Sequence, residues 1–182
     1  EHLSEISDLV VTEKADLGIV VDPDVDRLAL ICEDGSMFGE EYTLVACADY
    51  VLGRLGGGNT VSNLSSSRAL KDVTNQHGGT YTASAVGEVN VVAKMKETNT
   101  VIGGEGNGGI IYPTSHYGRD SLVGVALFLS HLAHKKISCK QLRDSYPNYF
   151  MSKNKIELTP EINVDKILDT IYLYYKKTFK RT

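Results

Sequence analysis

At 182 residues the chain has room for one or two domains. With 42% hydrophobic and 23% charged residues it can bury a core without disulfide or metal staples. A net charge of −4, with basic residues bunched only at Lys176, Lys177, Lys180 and Arg181, excludes an electrostatic footprint for nucleic acid.

No apolar run approaches the ~20 residues of a membrane span. The opening EHLSEISDLV lacks the pattern of a secretory leader. Cys32, Cys47 and Cys139 are odd in number, widely spaced and in no paired ligand pattern. At least two lie in apolar segments and read as small buried hydrophobes, so a reducing cytoplasm is the expected setting, with neither nucleic acid nor membrane as partner.

In chain order, LGIVV and LALIC (28–32) are short apolar runs that read as buried strands, followed by an Asp-Gly turn in EDGS. Residues 41–55 have helical spacing and stop at Gly56-Gly57-Gly58. TVSNL reads as a strand, and Ser65 to Ser67 offer N-caps for a helix in SRALKDVTNQHGG. A strand near TYTA precedes a helix over 88–96 with Val89, Val92 and Met95 on one face and Lys94 and Lys96 on the solvated one. TVIGGE is a buried strand, Asp120 caps the apolar helix SLVGVALFLSHLAHKK, and Pro160 breaks the Lys- and Tyr-rich end before a final amphipathic helix.

This alternation predicts an α/β layered domain with a mostly parallel mixed sheet flanked by helices. Its bulk runs over 37–150. Residues 1–36, a strand pair with a leader, and 151–182, a strand and a helix, read as partial elements of neighbouring domains in a longer protein.

LGIVVDPDVDRLAL places Asp22, Asp24 and Asp26 at every second position between two apolar runs. Such carboxylates repel one another and raise each other's pKa unless a cation intervenes, and oxygen-only ligands suit Mg²⁺. A solvated acidic turn is the plain alternative. An EF-hand calcium loop fits Glu33 at its twelfth place but puts Arg27 where that loop needs glycine, and a β-like run follows. Phosphatases with an aspartate nucleophile also carry D-x-D after an apolar strand, which leaves Asp22 as a nucleophile a weaker alternative. Arg27 beside a metal loop can hold a phosphate oxygen, as phosphoryl transfer requires.

GGEGNGGIIYP (103–113) is formally G-x-G-x-x-G at Gly104, Gly106 and Gly109, but a strand and a proline follow where a dinucleotide site needs a helix. A loop presenting Glu105 and Asn107 remains, able to bind vicinal sugar hydroxyls. A plain tight turn is the alternative. His116 and Arg119 either face substrate or are surface residues at a helix start.

Together the loops resemble the α-D-phosphohexomutase superfamily of phosphoglucomutases, phosphomannomutases and phosphoglucosamine mutases. DPDVDR resembles its metal loop, usually D-G-D-x-D-R; GGEGNGG its sugar loop, G-E-x-S-G-H or G-E-x-N-G-G; and AVGEVNVVAKM the segment between. The resemblance implies four domains, with 1–36 the end of the second, 37–150 the third and 151–182 the start of the fourth. It implies Mg²⁺ on Asp22, Asp24, Asp26 and a phosphoserine, with Arg27 as catalytic, and Glu105 and Asn107 toward a hexose phosphate. That phosphoserine exchanges phosphate with the sugar's 1- and 6-positions through a bisphosphate.

Its T-x-S-H-N-P motif is not in this sequence, NLSSSRALKD being unlike it, nor is the phosphate-gripping loop of the fourth domain. Missing domains of the same chain are therefore expected partners, and the 182 residues alone are expected to be inactive. A non-catalytic sugar-phosphate or Mg²⁺ module is the alternative from another class. Pro23 stands for the usual glycine, Asn107 and Gly109 for Ser and His, and Ser84 for Thr. These variants lean toward a phosphoglucosamine mutase.

Overall fold

The computed structural model describes residues 3–152, 157–159 and 162–178. Pro160, Lys180, Arg181 and the side chain of Lys177 lie outside them. The chain divides into two compact units, Glu1–Phe150 and Met151–Thr182.

The first unit opens on a helix, α1 (Ser4–Thr12), where the sequence suggests only a leader; Val10 is its buried residue. Strands β1 (Leu17–Val21) and β2 (Leu28–Cys32) follow as an antiparallel hairpin with Val21 opposite Leu28, so residues 22–27 close it. Only β2 is the buried strand expected of both. Leu28, Leu30, Ile31 and Cys32 are buried, whereas Ile19 and Val21 of β1 are exposed. β2 packs against α2 (Glu40–Leu55) as well as α1, while β1 packs against α1 and, among the described residues, has no strand beside it other than β2.

The remaining elements alternate: β3 (Asn59–Asn63), α3 (Ala69–Gln76), β4 (Tyr81–Ser84), α4 (Glu88–Glu97), β5 (Thr100–Gly104), β6 (Ile110–Ile111), α5 (Ser121–Lys135) and α6 (Cys139–Asp144). The strands order as β4-β3-β5-β6, with β3 parallel to both neighbours and β6 antiparallel to β5. This is the mostly parallel, helix-flanked sheet that the alternation predicts. Because strand side chains alternate between faces, Ile102 and Ile110 enter the larger core with Leu44, Leu52 and Phe128. Val61 and Ile111 join Val91 and Met95 of α4 in a second core. Phe38 and Phe128 meet edge to face at 4.9 Å, an arrangement that adds about 1 kcal/mol beyond their burial.

Local expectations fared unevenly. Asp120 caps α5, its Oδ1 accepting from Leu122 N at 2.9 Å and Val123 N at 3.0 Å. All three cysteines are free and buried. On α4, however, Val91 and Met95 are the buried pair and Val89 is 82% exposed. Residues 89 and 91 lie about 200° apart around a helix, so they cannot share its buried face. Of the serine run expected to cap α3, only Ser67 meets its start, its Oγ accepting from Ala69 N at 3.4 Å. Ser65 N and Ser66 Oγ donate to Asn63 Oδ1 instead, and no side chain caps the Arg68 position. Helix α6, unforeseen, begins with a Ser138–Gln141 capping box. Glu33 accepts from Ser138 Oγ and from Lys140 N (3.1 Å), which ties that helix start to the hairpin.

A polar network joins the helices on one side of the sheet. Asp49 of α2 contacts His77 (2.7 Å), His131 (3.0 Å) and Lys135 (3.2 Å), and Tyr146 OH donates to it at 3.0 Å. Burial alone would raise Asp49, but hydrogen bonds from His131 and His77, with Lys135 nearby, hold its carboxyl well below the ordinary range.

The second unit contains α7 (Val164–Thr178), started by Asn163, whose Oδ1 accepts from Lys166 N at 3.0 Å. Ile167, Leu168, Ile171 and Tyr172 are exposed along it. Much of the segment before it, where a strand is expected, lies outside the described residues.

Candidate functional site

Parallel α/β sheets gather ligands beyond the carboxyl ends of their strands. Here β3 ends in Asn63, β4 runs out toward Glu88 at the start of α4, and β5 ends one residue before Glu105. The aspartate loop of the hairpin joins them. Leu28 N donates to Gly108 O at 3.1 Å, stitching the aspartate loop's end to the glycine loop. Gly108 has φ +87°, and a Cβ there would stand 2.3 Å from Leu28 O, so only glycine allows this approach.

Within the aspartate loop, Asp22 is the organiser. Its Oδ1 accepts from Asp26 N (3.0 Å) and Arg27 N (3.1 Å), and its Oδ2 from Arg27 Nε (2.8 Å). Partial desolvation pushes Asp22 up, yet these hydrogen bonds outweigh it and bring its pKa to about 2. Both oxygens of Asp22 are thus engaged within the loop. Val25, at the tip, holds φ +58°, a strained conformation for a β-branched residue. Ser121 secures it, donating to Val25 O from Oγ at 2.8 Å and from N at 3.3 Å.

Arg119 is the centre of the site. Its Nη2 lies 2.5 Å from Asp26 Oδ2, its Nε 2.9 Å from Glu88 Oε2, and its Nη1 3.2 Å from Glu105 Oε2. One guanidinium thus bridges the aspartate loop, the start of α4 and the glycine loop. Its stem fills the space that a side chain at Gly109 would need, since a Cβ there would be 2.5 Å from Arg119 Cδ. Glu105 is buried, and its Oε1 accepts from Asn63 Nδ2 at 2.7 Å. Both carboxylate oxygens therefore already have protein partners.

A cleft of about 720 Å³ runs along the hairpin, lined among others by Asp22, Arg27, Glu40 and Asn107. Asn107 Oδ1 accepts from Gly109 N at 3.2 Å within its own loop. His116 does not line this cleft and is bound to Asp120 Oδ2 at 2.9 Å. The structure thus brings Asp22, Asp26, Arg27, Glu105, Asn107 and Arg119 into one connected region. Sequence reasoning missed Asn63, Glu88, Glu40 and Ser121. Their positions, at the end of β3 and at the starts of α4, α2 and α5, were the available signal.

Among the described residues no set of three or more carboxylates, imidazoles or thiols is gathered closely enough to hold a metal ion. Asp22 and Asp26 turn to arginines, and Asp24 is exposed. The donor chemistry nevertheless fits a hard cation. Asp26 Oδ1 is buried without a hydrogen-bond partner, its nearest cation being Arg27 Nε at 3.6 Å. Desolvation raises the Asp26 pKa, Arg119 opposes the rise, and neighbouring Asp22 adds to it. A carboxylate in that position gains most from added positive charge.

Comparison with known proteins accounts for the combination. The family model described as phosphoglucomutase/phosphomannomutase, alpha/beta/alpha domain III, matches residues 39–149. A phosphoglucomutase/phosphomannomutase of Thermococcus kodakarensis is 33% identical over 155 residues, 85% of this chain and 34% of its own. A phosphoglucosamine/phosphogalactosamine mutase of Sulfurisphaera tokodaii is 31% identical over 177 residues, 96% of this chain and 39% of its own. A solved phosphoglucomutase/phosphomannomutase family protein of Burkholderia thailandensis superposes with a TM-score of 0.70 at 25% identity, covering 80% of this chain and 32% of that one. These matches and the α/β/α layering define a phosphohexomutase domain, and the chain belongs to the phosphoglucomutase/phosphomannomutase family. It spans little more than a third of the length of these curated relatives. No helix among the described residues is long and apolar enough to cross a membrane.

Proposed function

We propose that these residues are the part of a phosphohexomutase that supplies its metal loop and its sugar loop. The whole enzyme interconverts hexose 1-phosphate and hexose 6-phosphate through a phosphoserine and a bisphosphate intermediate. In this reading residues 1–36 end the second domain, 37–150 form the third and 151–182 begin the fourth, and the other domains complete the site. The carrying observation is the joining of the two motif loops, by Leu28 N to Gly108 O and by Arg119.

Asp22, Asp24 and Asp26 would hold Mg²⁺, which when bound neutralises charge on a transferring phosphoryl group. Arg27, anchored through Nε to Asp22 and lining the cleft, is placed to bind phosphate oxygens. Asn107 lines the same cleft and presents an amide to a sugar hydroxyl. Glu105 acts at the sugar loop, as a direct ligand of the sugar or by shaping the loop through Asn63 and Arg119. Among hexose phosphates the loop variants favour glucosamine phosphate.

Titration calorimetry with MgCl₂ tests the loop. Wild type should bind, and Asp24→Asn should bind several-fold more weakly, by about the tenfold that 1.4 kcal/mol represents. Equal affinity would make the loop a plain acidic turn. Incubation with glucose 1-phosphate or glucosamine 6-phosphate should give no isomer, because the phosphate donor lies outside these residues. Turnover by the 182-residue chain would overturn that.

A further inference from the structure

We infer that Arg119 is a counter-cation built into the fold, which competes with a divalent cation for Asp26 and so couples the aspartate loop to the glycine loop. The inference rests on the reading of the aspartate loop as a metal site.

Charge bookkeeping at the site is unequal. Asp22, Asp26, Glu88 and Glu105 are paired with only two guanidiniums, those of Arg27 and Arg119. Three of these carboxylates converge on Arg119, each on a different nitrogen. The planar guanidinium fixes this three-way fork across separate nitrogens, which a lysine ammonium, with all its donors on one atom, does not. Asp26 is the member with something left to offer, since its Oδ1 lacks a hydrogen bond.

A cation drawn to the free Asp26 Oδ1 repels the guanidinium held by Oδ2 of the same carboxylate and weakens that pairing. Arg119 has little freedom to leave. Its backbone pairs with Ile111 in a β-bridge, and its stem lies against Gly109. Its charge therefore passes to Glu105 and Glu88, the partners it already has. Glu105 belongs to the glycine loop, so occupancy of the aspartate loop is reported there. Linkage requires the reverse effect of equal size: whatever draws Arg119 toward Glu105 releases Asp26 and tightens the cation.

The sign of the competition makes it testable on the 182-residue chain with Mg²⁺ and Mn²⁺ alone. Removing Arg119 removes both a repelling charge and a rival ligand. Arg119→Gln should bind Mn²⁺ more tightly than wild type, by roughly five- to tenfold, in electron paramagnetic resonance titrations. In ¹⁵N-labelled wild type, the Arg119 Nε–H resonance should shift on Mg²⁺ addition with the same midpoint as the metal isotherm. If wild type binds no metal, the underlying reading of the loop fails. If wild type binds but Arg119→Gln binds equally or more weakly, and the Arg119 resonance stays put, this inference alone is overturned. Should Arg119→Gln fail to fold, as circular dichroism would reveal, the resonance shift in unmodified protein decides by itself.

Discussion

Arg119 and Asp49 each stand at the centre of a polar network, and the two networks are charged in opposite ways. Around Arg119, carboxylates outnumber cations, one buried oxygen goes without a hydrogen bond, and a β-branched residue nearby is held at positive φ. Around Asp49, a single carboxylate collects His77, His131, Lys135 and Tyr146 from the chain segments it ties together. The Asp49 carboxylate is fully engaged, and among the described residues His131 Nδ1 is the buried nitrogen of the network without a hydrogen-bond partner. A satisfied network holds helices in place; an under-neutralised one at the carboxyl edge of parallel strands retains affinity for something outside the fold. The rim of a small cleft of about 290 Å³ beside Asp49 does not alter this, because the carboxylate's own valences are spent internally.

The sharpest way to break the contrast is Asp49→Ala. It removes the shared partner of His77, His131, Lys135 and Tyr146, leaving His131 Nε2 and Tyr146 OH only each other at 3.2 Å, and urea denaturation should show a loss of about 3 kcal/mol, the scale of breaking a buried pair. Mg²⁺ affinity should not change. A variant as stable as wild type would demote the Asp49 network to a decoration.

Acid probes both networks together. Asp22, at about 2, and Asp49 are both depressed in the folded state, so at these two groups the folded chain binds fewer protons than the unfolded one. Their contribution is fully present above the ordinary value of 3.8 and is lost as pH falls from there toward 2. Urea midpoints should hold from pH 6 to about 4 and then drop, less steeply in Asp49→Asn. A midpoint unchanged down to pH 3 would contradict both depressions.

Glu105→Gln should cost less, about 1–2 kcal/mol, by placing an amide where Asn63 Nδ2 and Arg119 Nη1 both donate. Wild-type stability in this variant would mean that the Asn63 and Arg119 bonds add nothing. The smallest effect belongs to Asp24→Asn, which should stay within about 0.5 kcal/mol of wild type while weakening metal binding. The residue is exposed, and no ion pair among the described residues depends on it.

Much of the layout was legible before any coordinates. Alternating apolar runs and glycine stops predict the layered sheet, and the Asp120 cap and buried cysteines follow from local rules that tertiary context did not override. Errors arose where a local pattern had competing partners. Val89 has helical spacing yet faces solvent, because the sheet lies on the side of Val91 and Met95. The serines after β3 have capping chemistry, but Asn63 Oδ1 takes the Ser66 hydroxyl, and only Ser67 Oγ reaches the helix start, accepting from Ala69 N at 3.4 Å.

By itself the sequence determined the donor types: three alternating aspartates, an arginine beside them, and a glycine loop with a carboxylate and an amide. Each is a short-range property, carried by residues a few positions apart. Only the tertiary structure decided which charge meets which. Arg119 reaches Asp26, Glu88 and Glu105 across separations of 14 to 93 residues, pairings that no spacing rule encodes. They follow from the parallel order of β4, β3 and β5, which brings the ends of distant strands to one edge, and from the closure of the hairpin against them.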